Sequence, residues 1–231
     1  TGIDLPGEAE GGIFSKEKLH QVELATSSFG QGQTVTMIQL ASAFSAVING
    51  GNYYQPHVVK EINSESGAVV SSNDNTLVKR VVSEDASKLI RKYLEKTVED
   101  DEGTAGPARV KGYVIGGKTG TAEKWPRNEG KYLVSFAGFT PTDKPELMIY
   151  VVIDEPHVSD QAHSTYATEF ASEVLKDVLP MLGIYKQTGK SDSAKKITLP
   201  STKKGNQLLE VPKGGFSSST YKVAKSKKNN G

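Results

Sequence analysis

The sequence predicts an α+β fold in which helices pack against an antiparallel sheet. Three strand-like runs follow one another at residues 113–121, 132–139 and 147–154. The links between them are short and contain turn formers such as Pro126, Asn128 and Pro141. Because parallel neighbours need a long crossover, these links favour an antiparallel meander.

Helical patterns lie on both sides of these strands. Thr36 and Gln39 have the spacing of a capping box, and Gly50-Gly51 predicts the end of the helix that it opens. Ser83 is predicted to cap a second helix. Its predicted apolar face comprises Ala86, Leu89, Ile90, Tyr93, Leu94 and Val98.

A hairpin and a last helix complete the predicted elements. Residues 57–62 and 68–70, joined by a turn at Ser66-Gly67, read as a β-hairpin. The last helix is predicted over residues 165–179, with Pro180 ending it. Its predicted inward residues are Ala167, Phe170, Ala171, Val174 and Val178.

The charge distribution predicts two parts of different character. Residues 186–231 hold 11 Lys against Asp192 and Glu210, a net charge of +9, so residues 1–185 carry −8 of the total of +1. The basic part is rich in Ser, Lys, Gly and Asn and poor in large apolar residues. We therefore expect a folded part at 1–185 and a mostly disordered tail or linker at 186–231.

Composition also limits the chemistry. The chain has no Cys, which excludes disulfides and thiolate catalysis, and no apolar run approaches the ~18 residues of a membrane span. The four His residues lack metal-ligand spacing, so no metal or other cofactor is implied. The first residues show no targeting signal, and the chain is expected to be a piece of something longer.

The candidate site is the run Gly116-Gly117-Lys118-Thr119-Gly120-Thr121. Strand alternation predicts Lys118 and Gly120 on one face, and Thr119 and Thr121 on the other. A glycine in a strand often marks the close approach of a ligand, and a lysine beside hydroxyls suits an anionic peptide end. A glycine-rich turn before an ordinary strand with a solvated lysine is the alternative.

Residues 112–119 also fit the P-loop pattern letter for letter, which makes a P-loop NTPase a remote alternative. A P-loop must open a helix whose N-terminus faces the phosphates. The residues that follow here have no helical period, and a strand-like run comes next.

Several short segments of the chain occur in an order that is typical of one family. Besides Lys118-Thr119-Gly120, they are Thr1 to Glu8, Phe29 to Gly32, Thr36 to Gln39, Asn49 to Gly51, Gly103 to Ala105, Ile115 to Ala122, Ser135 to Pro141 and Val152 to Pro156. Lys118-Thr119-Gly120 resembles the KTG element of serine transpeptidases and related β-lactamases. Together and in this order, the segments resemble class B penicillin-binding proteins, most of all division-, sporulation- or elongation-type proteins of Gram-positive bacteria.

This resemblance implies a partial penicillin-binding transpeptidase fold, like that of serine β-lactamases, and a peptidoglycan D,D-transpeptidase activity. A serine would attack the D-Ala–D-Ala amide of a stem peptide and pass the acyl group to a neighbouring amine. Lys118 would attract the terminal carboxylate, Thr119 and Thr121 would bond it, and Gly120 would leave room for substrate. The Thr121 N–H would form half of the oxyanion hole.

The resemblance also implies that the nucleophile precedes residue 1, because the family's Ser-x-x-Lys and Ser-x-Asn motifs lie upstream of the segment that Thr1 opens. Ser15 with Lys18, and Ser71 with Asn73, are look-alikes in polar or turn-forming contexts. We therefore expect this chain alone to be inactive. A non-catalytic piece that binds wall peptide or acts as a scaffold is the second hypothesis.

The partners implied are the peptidoglycan stem peptide, β-lactam antibiotics and a membrane glycosyltransferase of the division or elongation machinery, with no nucleic acid. The intact protein is expected at the extracytoplasmic face of the cell membrane, with its anchor upstream of this chain.

Overall fold

A computed structural model of the chain describes residues 1–187 together with 207–209 and 223–225. In this part of the chain the helices are α1 (Gln21–Ser28), α2 (Met37–Ile48), α3 (Glu84–Glu99) and α4 (Thr165–Met181), with 3-10 turns at Lys16–Lys18 and Gly106–Ala108. The strands are β1 (Asn52–Tyr54), β2 (Glu61–Asn63), β3 (Val69–Ser72), β4 (Leu77–Arg80), β5 (Gly116–Glu123), β6 (Tyr132–Thr140), β7 (Leu147–Asp154), β8 (Gln207–Leu209) and β9 (Val223–Lys225).

The main sheet is the predicted antiparallel meander, with β6 between β5 and β7. Its first strand begins at Gly116 rather than at Tyr113. The Tyr113 N–H instead donates to the Val110 carbonyl in a turn, and the Ile115 N–H donates to the Glu99 carboxylate. The backbone N–H groups before the sheet are therefore bonded to a turn carbonyl and to a side chain of α3, so the sheet ladder starts later than the apolar pattern.

The core lies between one face of this sheet and α4. Phe136 and Val151 of the sheet are buried in one cluster with Ala167, Ala171 and Leu175 of α4. On the other face, Phe139 meets Phe44 of α2 edge to face, with ring centroids 6.0 Å apart. Helices therefore cover both faces, which is the α+β arrangement predicted.

The helix boundaries follow the capping residues. In α2 the Gln39 N–H donates to Thr36 Oγ1 at 3.1 Å and the Thr36 N–H donates to Gln39 Oε1 at 2.9 Å, so the capping box is complete. Ser83 caps α3 by accepting from the Ala86 N–H. In α4, Pro180 lies inside the last turn and the helix ends at Met181.

The predicted helix faces are partly wrong. Phe170 of α4 is 56% exposed, and the buried stripe runs instead through Ala167, Ala171, Leu175 and Leu179. In α3, Leu89 and Tyr93 are exposed although their spacing fits an apolar face. Periodicity fixes the approximate side of a helix that turns inward, but the packing partners decide which edge of the stripe is covered.

Two small two-stranded sheets lie between α2 and α3 in the chain. The predicted hairpin is present as β2 paired with β3, and β1 pairs with β4 in a sheet that was not predicted. Asp4 fastens the N-terminal segment to this region, because its carboxylate accepts from the Val58 N–H at 2.7 Å and the Val59 N–H at 2.9 Å.

Within the predicted tail, β8 and β9 pair antiparallel, and the other residues from 188 onward lie outside the described part of the chain. The division into 1–185 and 186–231 stays a prediction. Among the described residues, no helix has the length and apolar character needed to cross a membrane.

Candidate active site

All four residues of the predicted site lie on β5. Lys118 and Thr121 are exposed, and Thr119 and Gly120 are half-buried. Lys118 stands opposite Ala137 of β6, and Thr119 stands opposite the buried Phe136. Lys118 therefore shares the sheet face of α2, and Thr119 shares the face of α4, as strand alternation predicts.

The glycines that open β5 have a packing role. A Cβ at Gly116 would lie 2.6 Å from the Phe139 ring, and a Cβ at Gly117 would lie 2.4 Å from the Phe136 ring. Two aromatic rings thus press on the strand from opposite faces, and only residues without side chains leave them room. The strand that carries Lys118 is fixed in position by the core directly before the lysine.

The outer edge of β5 has no strand neighbour among the described residues. The carbonyls of Gly117, Thr119 and Thr121 accept hydrogen bonds from side chains, namely from the Thr97 hydroxyl, from Lys118 Nζ at 2.8 Å and from Gln31 Nε2 at a long 3.5 Å. In an antiparallel strand the N–H and C=O of one residue point to the same side. The N–H groups of Thr119 and Thr121 therefore also point to this open edge.

The hydroxyls of the motif are free. In the part of the chain that the structure describes, neither Thr119 Oγ1 nor Thr121 Oγ1 has a hydrogen-bond partner, and Lys118 Nζ has only the carbonyl of its neighbour. One exposed ammonium, two unpaired hydroxyls and two edge N–H groups therefore lie along four consecutive residues. All of these groups are donors suited to a carboxylate or a developing oxyanion.

Gly120 has a surrounding that the sequence did not reveal. Its partner in the sheet is Ser135, and a Cβ at position 120 would lie 2.6 Å from Ser135 Oγ. On this face the place of a side chain at 120 is already taken by a hydroxyl of the same protein. The space expected to admit substrate over Gly120 is thus bordered by Ser135.

The turn after β5 is fastened at its base. Glu123 Oε1 accepts from the Asn128 N–H at 2.6 Å, and Lys124 pairs with Asp154 and Glu155 at 2.8 and 2.7 Å. The hydrogen bonds that Lys124 Nζ donates to these two carboxylates raise the pKa of Lys124, and the bond to Asp154 contributes most. Glu123 therefore stabilises the turn between β5 and β6.

The look-alike motifs have other surroundings. Hydrogen bonds from Glu17's own backbone N–H, first, and from the Ser15 hydroxyl lower the pKa of the Glu17 carboxyl. Ser71 lies on β3 opposite Ile62. The P-loop alternative is wrong, because Lys118 and Thr119 continue into a strand and do not open a helix.

Two other features of the described chain do not point to a second functional site. A cleft of about 330 Å³ runs beside α2, with Ile38, Ser45 and Tyr54 among its lining residues, and none of the predicted site residues borders it. No three His, Asp or Glu side chains converge as metal ligands in the described residues.

Comparison with known proteins gives a consistent result. Residues 1–176 match the family model described as the penicillin binding protein transpeptidase domain. Stage V sporulation protein D of Bacillus subtilis is 43% identical over 218 residues, which are 92% of this chain and 32% of that protein. Penicillin-binding protein PbpB of Mycolicibacterium smegmatis is 30% identical over 68% of this chain and 26% of its own length.

Solved structures match the same fold. The transpeptidase domain of penicillin-binding protein 3 from Burkholderia pseudomallei is 28% identical with a TM-score of 0.70, over 81% of this chain and 54% of that one. Penicillin-binding protein 3 of Mycobacterium tuberculosis, solved with ampicillin, is 25% identical with a TM-score of 0.72, over 82% and 44% of the two chains.

The chain spans about a third or less of the length of the two curated relatives named above. The family match nevertheless covers most of this chain and includes β5 with its Lys-Thr-Gly run. The chain therefore belongs to the penicillin-binding protein transpeptidase domain family, as a partial domain of the α+β fold that its solved members share.

Proposed function

We propose that this chain forms the substrate-binding strand of a peptidoglycan D,D-transpeptidase that works by serine acyl transfer on stem peptides ending in D-Ala–D-Ala. The observation that carries the proposal is the open edge of β5, where Lys118 Nζ is paired only with its neighbour's carbonyl and the hydroxyls of Thr119 and Thr121 have no partner among the described residues. A stem peptide ends in a carboxylate, and so does a penicillin.

Each residue then has a role. Lys118 attracts the carboxylate and influences proton transfer near the serine, and Thr119 and Thr121 bond the carboxylate through their hydroxyls. The Thr121 N–H, at the open edge, provides one of the two donors that stabilise the oxyanion of the tetrahedral intermediate. Gly120 has no side chain, so the substrate can lie close to the strand between these donors.

The serine itself belongs, in this proposal, to sequence outside these 231 residues. Ser15 lies directly before the 3-10 turn Lys16–Lys18, and Ser71 lies in β3 of a separate small sheet. The intact protein would be held at the extracytoplasmic face of the membrane by an anchor in that other sequence. There it would cross-link strands made by a membrane glycosyltransferase.

Labelling with a fluorescent penicillin tests the proposal. The intact protein should form a covalent adduct that survives a denaturing gel, whereas the 231-residue chain should form none, because in this proposal the activated serine lies in sequence outside it. Labelling of the chain alone would return Ser15 or Ser71 to consideration. An intact protein that binds wall peptide but is never acylated would favour the non-catalytic scaffold hypothesis instead.

A further inference from the structure

Ser135 lies in β6 directly across from Gly120, on the sheet face that carries Lys118. Its hydroxyl leans over the glycine, because a Cβ built at position 120 would come within 2.6 Å of Ser135 Oγ. Ser135 is half-buried, so its hydroxyl borders the surface of the site without being enclosed. Because residue 120 is a glycine, no side chain occupies the space that the Ser135 hydroxyl fills.

Tyr150 supports the hydroxyl from the next strand. Lys118, Ala137 and Tyr150 form one row across the three strands, and Gly120, Ser135 and Val152 form the next row on the same face. Burial raises the pKa of the Tyr150 phenol, and a hydrogen bond with Ser135 opposes that rise. The Tyr150 phenol stays protonated at neutral pH, so it is able to donate to Ser135 Oγ when the serine hydroxyl donates to a ligand.

We propose that Ser135 is a further substrate-binding residue, which donates its hydroxyl proton to the carboxylate end of the donor peptide, and that Tyr150 positions this hydroxyl. The inference rests on the proposed transpeptidase function. A carboxylate has about four acceptor directions. The ammonium and hydroxyls of β5 fill those at the open edge, and Ser135 reaches the anion from the sheet face.

The apolar neighbours of Ser135 on β6 support a binding role for its hydroxyl. The two neighbouring positions of this face on β6, Leu133 and Ala137, are apolar, so Ser135 interrupts an apolar row at the point nearest Gly120. A donor held by a second hydroxyl on a packed sheet is oriented before the ligand arrives, and such a donor loses little freedom on binding.

The test uses the intact protein and two acylating thioester donors, one ending in a free carboxylate and the other in its methyl ester. Ser135→Ala should lower the second-order acylation rate of the carboxylate donor about tenfold, the effect of one lost charge-assisted bond, and should change the ester rate little. Tyr150→Phe should give a smaller loss of the same kind. The double variant should be no slower than Ser135→Ala.

Ser172→Ala is the matched control, because it removes a hydroxyl that donates to the Arg109 carbonyl, away from β5. It should leave both rates unchanged. Equal losses for the two donors in Ser135→Ala and Tyr150→Phe, or no loss in either, would overturn this inference while the proposed function stands. An intact wild-type protein that neither donor nor penicillin acylates would overturn both.

Discussion

Removing the Thr119 hydroxyl is the sharpest perturbation of the candidate site. Thr119 Oγ1 has no partner among the described residues, so Thr119→Val breaks no hydrogen bond within the described protein and keeps the branched shape. Its effect on the free energy of unfolding should stay within about 0.5 kcal/mol, as for surface changes away from special features. A larger effect of Thr119→Val on acylation would therefore reflect a lost contact with the ligand and not a loss of folding stability.

A hydrogen bond to a charged group contributes about 1.5–3 kcal/mol. At about 1.4 kcal/mol for each factor of ten, Thr119→Val in the intact protein should slow acylation by a penicillin roughly ten- to a hundredfold. Thr119→Ser keeps the hydroxyl and should stay within a few-fold of wild type. The measurement is the second-order acylation rate, with thermal melting to show that all three proteins are folded.

If the valine and serine variants acylate at the same rate, the hydroxyl does not bind the carboxylate. β5 would then be a structural strand, and the substrate would be bound elsewhere. A valine variant that is slow because it is unstable would show a lowered melting temperature. We do not expect this, because the Thr119 hydroxyl has no hydrogen-bond partner among the described residues.

Two further predictions concern stability and can be measured on the 231-residue chain. Gly117→Ala should destabilise it by about 1–3 kcal/mol in chemical denaturation, because the new Cβ would overlap the Phe136 ring, whereas Gly106→Ala has open space at its Cβ and should be nearly neutral. Hydrogen bonds from the N–H groups of Val58, first, and Val59 lower the pKa of the Asp4 carboxyl, so its stabilising effect is present above the unfolded-state pKa and is lost as the pH falls through the lower folded value. Asp4→Asn should therefore lower the melting temperature at neutral pH, and its difference from wild type should shrink below pH ~4; a difference that persists unchanged at pH ~2.5 would contradict this account.

Elements with strong local signals could be predicted from the sequence. The capping box at Thr36 and the turn-rich links between strands each specify a local structure without help from the rest of the fold. Helix α1 was missed because it has no side-chain cap at His20 and little apolar periodicity. The pairing of β1 with β4 was missed because it joins two short strands far apart in sequence.

The candidate site divides in the same way. The Lys-Thr-Gly run and its alternation of faces follow from β5 alone. The open edge could not be predicted, because it depends on the order of strands in the sheet, and the strand at residues 113–121 could equally have been central. The sequence placed Ser135 in a predicted strand but not in the site. Its position over Gly120 depends on the register between β5 and β6, which the sequence does not specify.

The open edge of β5 also affects how the isolated chain behaves at high concentration. The N–H groups of Thr119 and Thr121 at this edge are a partial template on which another copy can add, because unpaired groups along an edge strand promote aggregation. Two features of β5 oppose such pairing. The charged Lys118 repels the same lysine of another copy, and the glycines have a low propensity for strands. Lys118 and Gly120 thus keep this edge available to a ligand. An apolar, β-branched sequence at the same positions would favour self-association.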